Sequence, residues 1–164
     1  MADQLKEMFN QKYFEKLSDE FSKAYKPFDK KKFLKEVTLN LEERSLNERM
    51  RYASLQLNNF LPTSFGASID ILKEVVPKMP RGYTSLLFPD YVGVFGLNDF
   101  DTSLKALHYF TKFGSSEFAI REFYRKDFDK TLKQMYKWSE DENHHVRRLS
   151  SEGSRPRLPW SFKL

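Results

Sequence analysis

Two glutamates, Glu117 and Glu152, and an arginine-rich stretch ending in a tryptophan are the residues whose types and spacing could do chemistry. Arg148 and Glu152 stand four apart and so share a helix face, and Arg155-Pro156-Arg157-Leu158-Pro159-Trp160 follows Gly153. A carboxylate can stabilise developing positive charge or position a water. Arginines beside an aromatic suit phosphate contacts and packing on a base or sugar, and two prolines stiffen the segment that carries them. Each residue also has a plainer reading. Glu152 can be an i,i+4 ion-pair partner of Arg148, an interaction of only a few tenths of a kcal/mol. Glu117 can be a favourable charge at a helix N-terminus, and Trp160 can plug the end of the core as readily as it can pack on a ligand.

Other chemistries lack their residues. With no Cys, disulfides, thiolate nucleophiles and cysteine zinc sites are excluded together. His108, His144 and His145 lack helical metal-ligand spacing, and the adjacent pair points in different directions on a helix, so no metal is expected. No Gly-rich phosphate loop and no G-x-S-x-G turn occur. No apolar run approaches a membrane span, and Met1 to Tyr13 lacks a signal-peptide core, which leads to the expectation of a soluble, cytoplasmic protein.

The elements that must position these residues read as helices throughout. Asn10 is a candidate N-cap for a stripe of Tyr13, Phe14, Leu17, Phe21 and Tyr25, stopped by Pro27. A second helix from Asp29 shows Phe33, Leu34, Val37 and Leu41. Ser45 and Glu48 form a capping-box pattern before Leu46, Met50, Ala53, Leu57, Phe60 and Leu61. Thr63 or Ser64 caps a helix of Ile69, Leu72 and Val76. Residues 81–90 read as a long turn that hides a short helix over 85–94 interrupted by Pro89, and Tyr91 to Gly96 as a buried helical turn rather than an unpartnered strand.

From Asp99 the chain repeats itself at a shift of 28 positions. Asp99-Phe100-Asp101 recurs as Asp127-Phe128-Asp129, and Leu104, Leu107, Phe110 and Phe118 match Leu132, Met135, Trp138 and Val146. Each unit is an Asp-capped helix, a polar turn and a second helix, and such a unit completes its core only by stacking on neighbours. The expected fold is therefore all-α, a single domain over 1–164 built as a solenoid of antiparallel helical hairpins similar to HEAT repeats; a closed bundle is the alternative. Charge is uneven along it, with 11 Lys/Arg against 7 Asp/Glu from Arg121 onward and 17 against 16 before. That excess suits a polyanion or, equally, a solvated basic face.

Ser151 to Trp160, after Glu142-Asn143-His144-His145-Val146-Arg147-Arg148, resembles the signature of the DNA alkylation repair glycosylases built of HEAT-like repeats, in their AlkC branch. Leu5 to Asn10 and Tyr91 to Leu97 are similar to that branch as well. The resemblance implies hydrolysis of the N-glycosidic bond of cationic N3- or N7-alkylated purines in double-stranded DNA, with neither metal nor cofactor and without drawing the base into a deep pocket. It places Glu117 and Glu152 near the lesion as the catalytic carboxylates and Trp160 against the damaged nucleotide's backbone, with Arg148, Arg155 and Arg157 holding phosphates. Family members continue with further repeats beyond the point matching Leu164, so the chain is expected to lack the C-terminal ones, leaving an edge through which a homo-oligomer could form. The competing reading is a non-catalytic helical scaffold that binds DNA or a protein partner with the same surface.

Overall fold

The computed structural model describes residues 2–164. Its α-helices are α1 (Ala2–Lys6), α2 (Gln11–Ala24), α3 (Lys30–Thr38), α4 (Leu46–Phe60), α5 (Phe65–Val75), α6 (Leu87–Phe95), α7 (Phe100–Phe110), α8 (Glu117–Lys126), α9 (Phe128–Trp138) and α10 (His144–Glu152), with short 3-10 turns between some of them. No strand occurs among the described residues, and the fold is a stack of helical hairpins. No helix among them is long and apolar enough to cross a membrane.

Helix starts follow the side chains that can satisfy orphan backbone N–H groups. Asn10, Asp29, Asp99, Asp127 and Asn143 accept from the backbone N–H of Tyr13, Lys32, Thr102, Lys130 and His145 at 2.9–3.1 Å. Ser45 opens α4, with its own N–H donating to Glu48 Oε2 at 2.8 Å. Two sequence expectations change. The second helix ends at Thr38, because Asn40 turns left-handed (φ 53°), and Leu41 falls in a 3-10 turn. Pro89 does not interrupt α6: it sits in the first turn, where its missing N–H has no intrahelical acceptor to lose.

The helices stack in two layers. α3, α4, α6 and α8 succeed one another in one layer and α2, α5 and α7 in the other, while α9 packs on α8 and α10 on α9. Phe14, Leu17, Phe21, Leu57, Leu72, Phe88, Leu107, Phe110, Ile120 and Phe123 fill the space between, each almost wholly buried. Tight crossings have small residues at them: Gly93 of α6 lies against Ala119 of α8.

The 28-residue repeat is real in packing and incomplete at its end. Leu107 and Met135, Phe110 and Trp138 are buried at matching positions. Phe100 packs edge-on against Phe123 at 6.1 Å, whereas Phe128 is 53% exposed; the residue matching Phe123 one repeat later is Ser151, which offers no ring.

Gly96, where α6 turns toward α7, has no room for a side chain. A Cβ there would collide with Ser103 Oγ, which donates to the Gly96 carbonyl at 2.6 Å, and would lie 2.5 Å from Phe65 Cζ. Gly96→Ala is expected to destabilise the fold by about 1–3 kcal/mol, lowering Tm by roughly 2–4 °C per kcal/mol in thermal unfolding. An unchanged Tm would contradict this crossing.

Candidate functional site

Glu117 and Glu152 come from different helices and meet at one end of the stack. Glu117 is the first residue of α8, and its N–H donates to Ser115 Oγ at 3.2 Å. Glu152 is the last residue of α10. α8 and α10 are drawn together where Gly153 lies against Ile120: a Cβ on Gly153 would come within 2.7 Å of Ile120 Cγ2. The Tyr124 and Ser154 hydroxyls close the same seam at 2.6 Å.

The environment splits the two carboxyls. Burial and the neighbouring Glu152 raise the Glu117 pKa above its ordinary value, with Ser115 and Arg148 opposing. Hydrogen bonding from Arg148 and from Glu117 lowers that of Glu152. Of the two carboxyls Glu152 is therefore the first to ionise, and when the pair carries a single proton it sits on Glu117, as expected where two carboxylates share a site and only one has close cationic partners. Glu117 Oε2 is buried with no hydrogen-bond partner among the described residues.

Arg148 Nη2 donates to Glu152 Oε2 at 3.0 Å, so the plain i,i+4 pair exists; it is also one side of a larger cluster. Arg155 Nη2 lies 3.9 Å from Glu152 Oε1. Of the three arginines singled out in the sequence, Arg148 and Arg155 thus face the carboxylate. Arg157 is exposed and has no hydrogen-bond or ion-pair partner among the described residues. Trp160 does not plug the core: it is 66% exposed, with an edge contact to Tyr83 at 6.2 Å. Burial lowers the pKa of His145, and the positive charges of His144, Arg148 and Arg81 add to it in that order, so Arg81 from the turn before α6 also lies at this end of the stack.

Beside the C-terminal arm, residues 155–164, a groove of about 860 Å³ crosses α4, α6 and α8, with Tyr52, Leu55, Asp90, Glu122, Trp160 and Phe162 among its walls. Its cations are engaged internally: Arg51 grips Asp90 through two nitrogens at 2.9–3.2 Å, and Arg44 covers the Tyr52 ring at 3.6 Å. His108, which the sequence left without a role, bonds Asp141 at 2.7 Å and so ties α7 to the turn before α10. Among the described residues no three His, Cys, Asp or Glu side chains are grouped to hold a metal ion.

Arg121 is the site residue that sequence reasoning missed. It is fully buried and donates to the carbonyls of Arg155 and Pro156 at 2.7 and 3.3 Å and of Phe162 at 3.0 Å. A signal existed: at the 28-residue shift Arg121 matches Leu149, a buried apolar position, so an arginine there needed a reason.

No protein-family model matches the chain. It is 44% identical, over its whole length, to 46% of uncharacterized protein YhaZ of Bacillus subtilis (strain 168). In three dimensions it is similar to the Pseudomonas fluorescens alkylpurine DNA glycosylase AlkC bound to DNA containing an abasic site analog, with a TM-score of 0.95 and 46% identity, covering 98% of this chain and 45% of that one. The chain spans less than half the length of either.

The split pair makes a stability prediction with a definite sign. Because the folded-state pKa of Glu117 is raised, its contribution to stability is complete below the ordinary glutamate value of 4.5 and is lost as pH climbs through the raised value. Glu117→Gln, which can still donate to Glu152, is expected to be more stable than the native chain at pH 7–8 by up to about 1 kcal/mol, roughly 2–4 °C in Tm. The difference should vanish near pH 4.5; a variant less stable at neutral pH would contradict the assigned protonation.

Proposed function

We propose, from the premise that this chain is AlkC-like in sequence and in fold, that it forms the lesion-facing part of an alkylpurine DNA glycosylase acting in DNA repair. The observation that carries the reading is the juxtaposition of Glu117 and Glu152 beside an arm that exposes Arg157 and Trp160. Its ligand is double-stranded DNA, and its substrates are N3- and N7-alkylated purines whose base carries a positive charge.

The chemistry asks little of the protein beyond charge and position. A cationic purine leaves C1′ with the bonding electrons and becomes neutral, so no acid is needed to protonate it. Positive charge passes to the sugar, and a water then adds to C1′ and gives up its proton. Glu152, kept ionised by Arg148 and Glu117, is the carboxylate that stabilises that sugar cation or orients the water. At ~4 Å and an effective dielectric near 20, opposite unit charges attract by roughly 4 kcal/mol. Realised only in the transition state, that corresponds to about a thousandfold in rate.

Glu117 holds the second charge in reserve. An approaching cation favours loss of its proton, which leaves two carboxylates facing one positive centre. Arg157 contacts a phosphate directly, Arg148 and Arg155 offer the guanidinium edges not turned toward Glu152, and Trp160 packs on the sugar-phosphate backbone. None of these steps calls on a metal or a cofactor.

Release of 7-methylguanine or 3-methyladenine from alkylated duplex DNA is the test. The expected result is release well above an enzyme-free control, falling about 100- to 1,000-fold in Glu152→Gln, with DNA affinity unchanged or higher. Above pH 4.5 the native rate should rise as Glu117 loses its proton, a limb missing in Glu117→Gln. Salt-dependent DNA binding with no base release would move the assignment to the scaffold reading.

A further inference from the structure

We infer that Arg121 is a positioning residue, a buried clamp that closes the segment 155–162 into a loop and thereby presents Trp160 and Arg157 in a fixed attitude. The inference rests on the reading that this arm meets DNA. Arg121 is 0% exposed, yet no carboxylate pairs with it among the described residues. Its acceptors are backbone carbonyls at both feet of the loop. Nη1 donates to Arg155 O at 2.7 Å and Nη2 to Pro156 O at 3.3 Å at the first foot, while Nε donates to Phe162 O at 3.0 Å and Nη2 joins it at the second. The Phe162 ring is covered by Arg125 at 3.2 Å and approached by Arg121 at 5.5 Å.

Within the loop the local contacts are few: Leu158 is buried, Ser161 N–H donates to Leu158 O at 3.2 Å and Leu164 N–H to Pro156 O at 3.0 Å, while Arg157, Pro159 and Trp160 are exposed. Trp160 also sits at φ 63°, in the left-handed region that non-glycine residues seldom adopt. That conformation belongs to the turn Leu158-Pro159-Trp160-Ser161, which Ser161 N–H closes onto Leu158 O at 3.2 Å, so the feet held by Arg121 fix where the turn stands and not its local shape. Only a planar fork with donors on three nitrogens can reach both feet at once, which a lysine ammonium cannot reproduce. Fixing the loop before DNA arrives removes ordering cost from binding.

The test separates the clamp from the function. With 5-fluorotryptophan in the chain, its two tryptophans give two ¹⁹F signals. The Trp160 signal should show the broad line of a side chain tumbling with the whole protein, and Arg121→Met should sharpen it while Trp138 keeps its line. Arg121→Lys should fall between; if Arg121→Met does not fold, the lysine variant decides alone. For duplex DNA holding an abasic-site analogue, Arg121→Met should weaken binding by about tenfold or more, as much as Trp160→Ala, and the double variant should lose no more than either single one. A Trp160 line unchanged in the folded variants, or losses that multiply in the double variant, would overturn the clamp. If the native chain binds no DNA, the proposed function fails, and the ¹⁹F lines still decide whether Arg121 orders the loop.

Discussion

A guanidinium buried without a carboxylate is costly unless its donors are satisfied, and the end of this molecule that carries Glu117 and Glu152 is built around one. Arg121 projects from α8 into a space that backbone carbonyls of the C-terminal arm complete. The cost of burying the charge is offset only when the arm is in place, so the arm's position and the integrity of this end depend on each other. Arg49 at the other end also binds backbone carbonyls, but with carboxylates beside it: Glu7 Oε1 lies 3.4 Å and Glu42 Oε2 3.6 Å from its guanidinium. Fully buried in α4, it donates to the carbonyls of Lys6, Phe9 and Arg44 at 3.0–3.2 Å and holds the N-terminal segment against the stack. Helical repeats pack through apolar ridges, which are poor at fixing irregular chain; an arginine fork binding carbonyls does that at both ends.

With the arm fixed, the carboxyl pair follows from the closeness of α8 and α10. Gly153 permits the approach to Ile120, and Glu152 arrives beside the first residue of α8. One carboxyl is then partly desolvated and the other is faced by Arg148 and Arg155, which divides proton and charge between them. An exposed pair of glutamates would not be separated in this way. The site is thus a product of packing: the seam between two helices sets the electrostatics.

Features that depend on local spacing were legible in the sequence. The caps at Asn10, Asp29, Asp99, Asp127 and Asn143, the capping box at Ser45 and the 28-residue repeat each rest on residues a few positions apart, and the all-helical hairpin stack follows from them. Pro89 was misjudged because the start of α6, which decides whether a proline breaks a helix, is set by the 3-10 turn before it. Glu117 and Glu152 could be named from their resemblance to a family motif, but their shared proton depends on a crossing 35 residues apart in sequence. Trp160 was open between plug and exposed ring, since that choice rests on Arg121, which no local pattern ties to the arm. The mismatch of Arg121 with Leu149 in the repeat was the one trace of it.

Hydrogen exchange with and without a duplex containing an abasic-site analogue tests most directly whether this end of the molecule is the DNA face. The account predicts slower exchange in the first turn of α8, in α10 and in residues 155–162 when DNA is bound, with α2 and α3 unchanged. Protection confined to α2 and α3, or none at a DNA concentration that saturates binding, would contradict it.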